Sequence, residues 1–149
     1  DITPVLEDPE SLAYVIDHFK SHYEGRGIER IVGIESRGFI FGTALAYAMG
    51  IGIALVRKPG KLPYKTTSVS YELEYGKDTL HIHMDAIAPG MKVLIVDDLL
   101  ATGGTASATI ELVEKIGGVV EGCAFVIELE FLKGRKWLGD KDIYAIVQY

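Results

Sequence analysis

The 149-residue sequence is poor in cysteine, in positive charge and in long apolar runs, and each shortage closes off a class of protein. Its single cysteine, Cys123, excludes an intrachain disulfide. Set in "VVEGCAFVIEL", it reads as a small buried core residue, and a reducing, cytoplasmic location is expected. Lys and Arg number 15 against 21 Asp and Glu, giving a net charge of −6 with no long basic run. Non-specific nucleic-acid binding needs cations that displace the counterions of the phosphates, so no nucleic-acid partner is expected. No apolar run reaches the ~18 residues of a membrane span and nothing resembles a signal peptide, so no membrane partner is expected. Neither the GxGxxG fingerprint nor the lysine-bearing P-loop motif occurs. No internal repeat or linker is visible, and residues 1–149 are expected to form one domain.

What is present is a chain 48% hydrophobic, with a mean hydropathy of +0.21. That is apolar for a small soluble protein, and burial of some surface between subunits is expected. Asp8 followed by Pro9 and Glu10 is a helix start, and Leu12, Val15, Ile16 and Phe19 recur at helical spacing up to the stop at Gly25. "IERIVGIES" reads as a buried strand, "RGFIFGTALAYAMG" as a helix closed by Gly50, and "IGIALVRK" as the next strand. Strand–helix–strand order predicts parallel pairing with a right-handed crossover. Pro59 to Val69 has two prolines, a glycine, several hydroxyls and no period, and reads as a mobile loop. "SYELEYG" and "TLHIHMDAI" alternate with period two and predict a hairpin turning at Gly76–Lys77–Asp78. The strand "KVLIVDD", a helix from about Gly104 to Ile116, and the strands "VVEGCAFVIEL" and "IYAIVQY" follow. The fold class is α/β: a mostly parallel sheet flanked by helices, with an inserted antiparallel hairpin and flexible loop.

The stretch "VLIVDDLLATGGTASA", Val93 to Ala108, carries the chemistry. In open α/β sheets ligands bind at the carboxyl ends of strands, and Asp97 and Asp98 stand at such an end. A ribose diol offers two donors at fixed spacing that a carboxylate accepts. Ala101, Thr102, Gly103, Gly104 and Thr105 then open a helix; the glycines let N–H groups turn inward as an anion nest, which the helix dipole favours. A phosphate beside paired acids implies a sugar phosphate, since a bare anion would be repelled. Arg37 poses the opposite puzzle: a cation at a helix start is disfavoured by the dipole unless it faces an anion. Arg57, Lys58 and Lys61 gather at a strand end. His81 and His83 alternate on one strand, lack the partners of a metal set, and read as strand-face residues.

These residues reach a family. "VLIVDDLLATGGTA" resembles the phosphoribosyl-pyrophosphate signature of type I phosphoribosyltransferases, and its "DDLLATGGT" form is similar to that of the adenine phosphoribosyltransferases. "ESRGFIFG" (Glu35–Gly42), "VRKPGKLP" (Val56–Pro63) and "YELEYGKDTLHIHMDAI" (Tyr71–Ile87) agree in order and spacing. The resemblance implies a reaction of adenine with phosphoribosyl pyrophosphate giving AMP and pyrophosphate, with Mg²⁺ held mainly by substrate and water and with no direct protein ligand. It implies that Ala101 to Thr105 hold the 5′-phosphate, that Asp97 and Asp98 hold the ribose hydroxyls directly or through metal-bound water, and that Ser36 and Arg37 hold pyrophosphate. Arg57, Lys58 and Lys61 would stabilise the departing pyrophosphate, the base would lie against Leu99, Leu100 and Ala101, and the protein would be a homodimer. The cation forming at the sugar carbon must be kept from water, and Pro59–Val69 is the expected lid.

The base must also lose a proton. Alternation places Ser70, Glu72 and Glu74 on one face and Tyr71, Leu73 and Tyr75 on the other, which nominates Glu72 or Glu74. The family's motif matches Glu74, with Tyr75 beside it in the lid region. The family also has an aromatic and a basic residue ahead of the segment matched by Asp1, Ile2 and Thr3, as part of a hood over the base, and this hood is expected to be truncated. Two other functions fit the same fold: transfer to a different purine, and a regulator that senses phosphoribosyl pyrophosphate. The second would carry a winged helix or a basic face.

Overall fold

The near-continuous apolar runs read as strands do so because both of their faces are covered. In the computed structural model, which describes residues 1–73 and 75–149, β1 (Arg30–Ile34), β2 (Gly52–Val56), β5 (Lys92–Leu100), β6 (Val119–Glu128) and β7 (Asp142–Gln148) form one parallel sheet in the order β2-β1-β5-β6-β7. Successive residues serve opposite layers. Val32, Val93, Ile95, Cys123 and Phe125 pack with Ala106, Ile110 and Val113 of α4 (Gly104–Lys115), together with Val69, Leu80 and Ile82. Ile31, Leu94, Val96, Ala124 and Val126 pack with α2 (Pro9–Tyr23) and α3 (Arg37–Met49) through Val15, Phe19, Phe41 and Leu45. Cys123 is free and buried, as its setting predicted.

The α2 start is capped as read: the Asp8 carboxylate accepts from the Ser11 N–H at 2.9 Å. Ahead of it lies a short helix, α1 (Thr3–Glu7), that sequence reading did not anticipate; Pro4 sits in its first turn, where a missing N–H is harmless. The hairpin is formed by β3 (Thr66–Glu72) and β4 (Lys77–His83), antiparallel, with Tyr71 opposite Asp78 and Glu72 opposite Lys77. Two expectations are corrected here. Thr66 to Val69 belong to a strand, not to the loop: the β-branched Thr66, Thr67 and Val69 pair with His83, Ile82 and Leu80. Lys77 and Asp78 likewise begin β4 rather than making the turn. The hairpin is tied to the end of β2 by reciprocal backbone bonds between Arg57 and His81, of 3.0 and 2.8 Å. The segment 130–137, unassigned from sequence, makes two 3-10 turns, Glu130–Leu132 and Gly134–Trp137.

Strand order reverses between β1 and β5: the chain leaves β1 through α3 toward β2 and leaves β5 through α4 toward β6. Crevices in such sheets open at this reversal, beyond the carboxyl ends of the two strands. "ESRG" follows β1 and "ATGGT" follows β5, so the topology brings the two motifs face to face.

Candidate active site

A cavity of about 520 Å³ occupies that crevice. It is lined by Glu35, Ser36 and Arg37 after β1, by Asp97 to Thr105 along the end of β5 and the start of α4, and by Lys58, Tyr71 and Asp78 from the hairpin side. Of the residues nominated from sequence it gathers Ser36, Arg37, Lys58, Asp97, Asp98, Leu99, Leu100, Ala101, Thr102, Gly103, Gly104 and Thr105. Arg57 and Lys61 do not line it. Tyr75 is 88% exposed. Glu74 lies outside the described residues, while Glu72, the other carboxylate nominated from sequence, is exposed and stands 3.9 Å from Lys77.

The approach of α3 to β5 explains the glycine of "ESRG". A β-carbon at Gly38 would stand 2.9 Å from both Asp97 Oδ1 and the Val96 carbonyl oxygen. Only a glycine lets the first turn of α3 close on the acids. This closeness also answers both electrostatic puzzles. Arg37, at the start of α3, donates through Nε to Asp98 Oδ2 at 2.5 Å, so the cation faces a carboxylate and the buried Asp98, 6% exposed, is paired. Asp97 takes the N–H of Asp98 at 2.8 Å. Burial, with the Asp98 carboxylate beside it, pushes Asp97 up to about 8. One acid is thus paired with Arg37, and the other, Asp97, resists losing its proton.

The turn after the acids is built around positive φ. Gly103, at +91°, is the residue before α4, and its carbonyl accepts from the Ser107 N–H at 2.9 Å. The first N–H groups of α4 have no partner within the helix and point toward the cavity end of the dipole. Gly103 is needed for a second reason: its β-carbon would come within 2.5 Å of the Gly134 carbonyl oxygen, and one at Gly134 within 2.5 Å of the Ala101 carbonyl oxygen. The 3-10 turn is thus a backplate in direct backbone contact with the nest. It is latched by Glu128, 3% exposed, which accepts two bonds from Arg135 Nε and Nη2, of 2.7 and 2.8 Å, and one of 3.0 Å from Gln148 Nε2. The Arg135 bonds hold the Glu128 carboxyl below the usual range. Sequence reading missed Gly134, Glu128 and Arg135. "KGR" in a polar stretch is an ordinary loop signal, and only tertiary contact shows what it touches.

On the hairpin side Lys58 donates to Asp78, which that bond holds below the usual carboxylate range. Glu35 accepts from the Lys58 N–H and from Arg57 Nε, each at 3.0 Å; burial alone would raise Glu35, and these bonds bring it below its ordinary value. Arg57 also lies over the Phe39 ring. Asp78 was not nominated from sequence; its register opposite Tyr71 is what aims it inward. At the end of β5, Leu100 is buried and its carbonyl accepts from the Leu129 N–H at 2.9 Å.

Paired acids, an anion nest and a cation-bearing loop at the reversal point of a parallel sheet define the class, and the sequence profile of the "Phosphoribosyl transferase domain" family matches residues 3–147. An adenine phosphoribosyltransferase of Acetivibrio thermocellus is 57% identical over 150 residues, covering all of this chain and 88% of its own. The crystal structure of adenine phosphoribosyltransferase from Thermoanaerobacter pseudethanolicus superposes with a TM-score of 0.97 at 52% identity, covering 100% of this chain and 87% of that one. The Saccharomyces cerevisiae adenine phosphoribosyltransferase, complexed with adenine and an imino-altritol bisphosphate, gives 0.93 at 45% identity over 98% of this chain and 85% of its own. The chain belongs to the adenine phosphoribosyltransferase family.

Proposed function

We propose that the protein transfers the 5-phosphoribosyl group of phosphoribosyl pyrophosphate to adenine, giving AMP and pyrophosphate in purine salvage. The observation that carries this reading is the meeting of acids, nest and Ser36–Arg37 loop in one cavity. It stands in a chain more than half identical, over its full length, to proteins named for that reaction. The reading covers residues 1–149 as one phosphoribosyltransferase domain, acting as a homodimer in the cytoplasm. Among the described residues no helix is long and apolar enough to cross a membrane.

The roles follow from position. The N–H groups at the start of α4, which have no partner within the helix, and the hydroxyls of Thr102 and Thr105 receive the 5′-phosphate. Asp97 and Asp98 accept from the ribose hydroxyls. Arg37 and Lys58 leave Asp98 and Asp78 for the incoming pyrophosphate, each exchanging one anion for another, with Ser36 donating beside them. Arg57 and Lys61 extend the positive field at the mouth. The donor set around the acids is oxygen only, which suits Mg²⁺ held mainly by substrate and water; Asp97 and Asp98 would meet it only through that water. Bound there, it supplies neutralisation of charge on the pyrophosphate.

In the reaction the bond from the sugar carbon to pyrophosphate oxygen breaks, its electron pair leaving with pyrophosphate. A bond from that carbon to the adenine ring nitrogen forms, and the nitrogen's proton passes to the Glu74 carboxylate. Leu99, Leu100 and Ala101 form the apolar wall for the base. The Pro59–Val69 segment, whose last four residues begin the hairpin that carries Tyr75, closes to keep water from the cationic sugar carbon. Two measurements test the assignment. AMP binds far more tightly than adenosine, which lacks the phosphate, and Glu74→Gln lowers turnover more than it weakens adenine binding. Equal affinity for AMP and adenosine would remove the nest from the account, and wild-type turnover in Glu74→Gln would remove the proton role.

A further inference from the structure

Tyr71 has no role in the reaction as described, yet its side chain touches both the hairpin's charge pair and the nest. Its hydroxyl lies 3.0 Å from Thr105 Oγ1 and 3.4 Å from Asp78 Oδ2, the oxygen that also receives Lys58 Nζ. Its ring covers the turn: a β-carbon at Gly104 would stand 3.3 Å from Tyr71 Cδ2. Burial raises the phenol above its usual range, so it keeps its proton.

The distances then set which way the chain of bonds runs. A phenol has one proton to give, and a threonine hydroxyl has one to give and two lone pairs that accept. Asp78 already takes Lys58 and, through Oδ1, the Thr79 N–H at 2.9 Å. At 3.0 Å against 3.4 Å, which is long for a bond between oxygens, Thr105 Oγ1 is the better-placed acceptor of the Tyr71 proton. The Thr105 proton is then directed away from Tyr71. Thr105 is the second residue of α4 and lines the cavity, so a proton turned from Tyr71 can meet an anion bound there. We propose that Tyr71 is a positioning residue for the 5′-phosphate: by donating to Thr105 Oγ1 it fixes that hydroxyl as a donor to the anion. The inference rests on the reading that residues 101–105 hold the 5′-phosphate, and it gives the hairpin a part in binding the sugar phosphate that is separate from covering the site.

A double-mutant cycle on the full chain tests it. Tyr71→Phe keeps the ring on Gly104 and removes only the hydroxyl. Kd for ribose 5-phosphate by calorimetry, and KM for phosphoribosyl pyrophosphate, are measured for wild type, Tyr71→Phe, Thr105→Ala and the double variant. Tyr71→Phe is expected to weaken ribose 5-phosphate and raise that KM about five- to tenfold with kcat little changed, as loss of one hydrogen bond made equally in ground and transition states does. In the Thr105→Ala background the same change has no further effect, because the hydroxyl it orients is gone. Additive effects of the two substitutions, which a packing role for Tyr71 would give, overturn the proposal. So does wild-type affinity in Tyr71→Phe alongside a weakened Thr105→Ala. If Thr105→Ala itself leaves ribose 5-phosphate binding unchanged, the assignment of the nest falls, and the role of Tyr71 falls with it.

Discussion

Gly134→Ala puts the backplate to a quantitative test. The added methyl would lie 2.5 Å from the Ala101 carbonyl oxygen, 3.0 Å from Leu100 Cδ1 and 3.2 Å from the Gly103 nitrogen. Ordinary contact begins near 3.4 Å, so the Ala101–Gly103 backbone and the 3-10 turn must separate by about 1 Å. Neither side yields freely. The turn is latched through Arg135 to Glu128, and Gly103 carries the carbonyl that starts α4. Overpacking of this size costs about 1–3 kcal/mol of stability, equivalent to a Tm fall of roughly 2–10 °C in a chain of this length. The larger effect is on function, because the displaced groups are the nest. A misplacement of about 1 Å at a binding constellation lowers kcat/KM about 100-fold. The assay is the initial rate against phosphoribosyl pyrophosphate at saturating adenine, with thermal melting alongside. Gly52→Ala is the control, because its nearest neighbour, Arg30 Nε, would be 3.8 Å from the new methyl. Wild-type kcat/KM in Gly134→Ala would refute the claim that this turn sets the geometry of the phosphate site.

Other consequences follow from the charges. Folding raises Asp97 from its ordinary value of 3.8 to about 8, so the folded state binds the extra proton. The Asp97 contribution to stability therefore falls as pH rises between those values, and Asp97→Asn removes that component of the melting profile. Binding has the opposite sign, since the ribose hydroxyls need an ionised acceptor. AMP affinity should rise between pH 7 and 9, above the second phosphate ionisation near 6, and be flatter in Asp97→Asn; a flat wild-type profile speaks against the role. Arg135→Ala leaves the Glu128 carboxylate buried with only Gln148. The loss should be about 2 kcal/mol, below the full penalty for a broken buried pair because Arg135 is partly in solvent, and an unchanged Tm would show that the latch is idle. Glu128 is lowered by folding, so its share of stability is present above its ordinary value of 4.5 and lost as pH falls through the folded value; Arg135→Ala should lose that acid dependence.

Much of this site was readable because its parts are local. The apolar run Val93–Val96, the acids that continue the strand, and the glycine turn opening α4 lie within one stretch, and period and turn chemistry are properties of neighbours along the chain. "ESRG" was legible as a helix start with a misplaced cation, and the structure supplies the anion it faces, Asp98. What was not legible depends on pairing between distant residues. Thr66 to Val69 look like a loop until β4 is set beside them. Asp78 reads as a turn residue until register places it opposite Tyr71 and against Lys58. Gly134 looks like any loop glycine until the turn closes on Gly103. The paired acids themselves changed meaning: Asp98 is held by Arg37 in the free molecule, and Asp97 is the acid with a displaced titration.

The central claim is that this cavity joins ribose phosphate to adenine. The most direct measurement is nucleotide formation from phosphoribosyl pyrophosphate and Mg²⁺ with adenine, hypoxanthine, guanine and xanthine supplied separately. The account predicts AMP and pyrophosphate in equal amounts from adenine, at a rate well above that for any oxo-purine. No AMP from adenine, or a faster reaction with an oxo-purine, would contradict it.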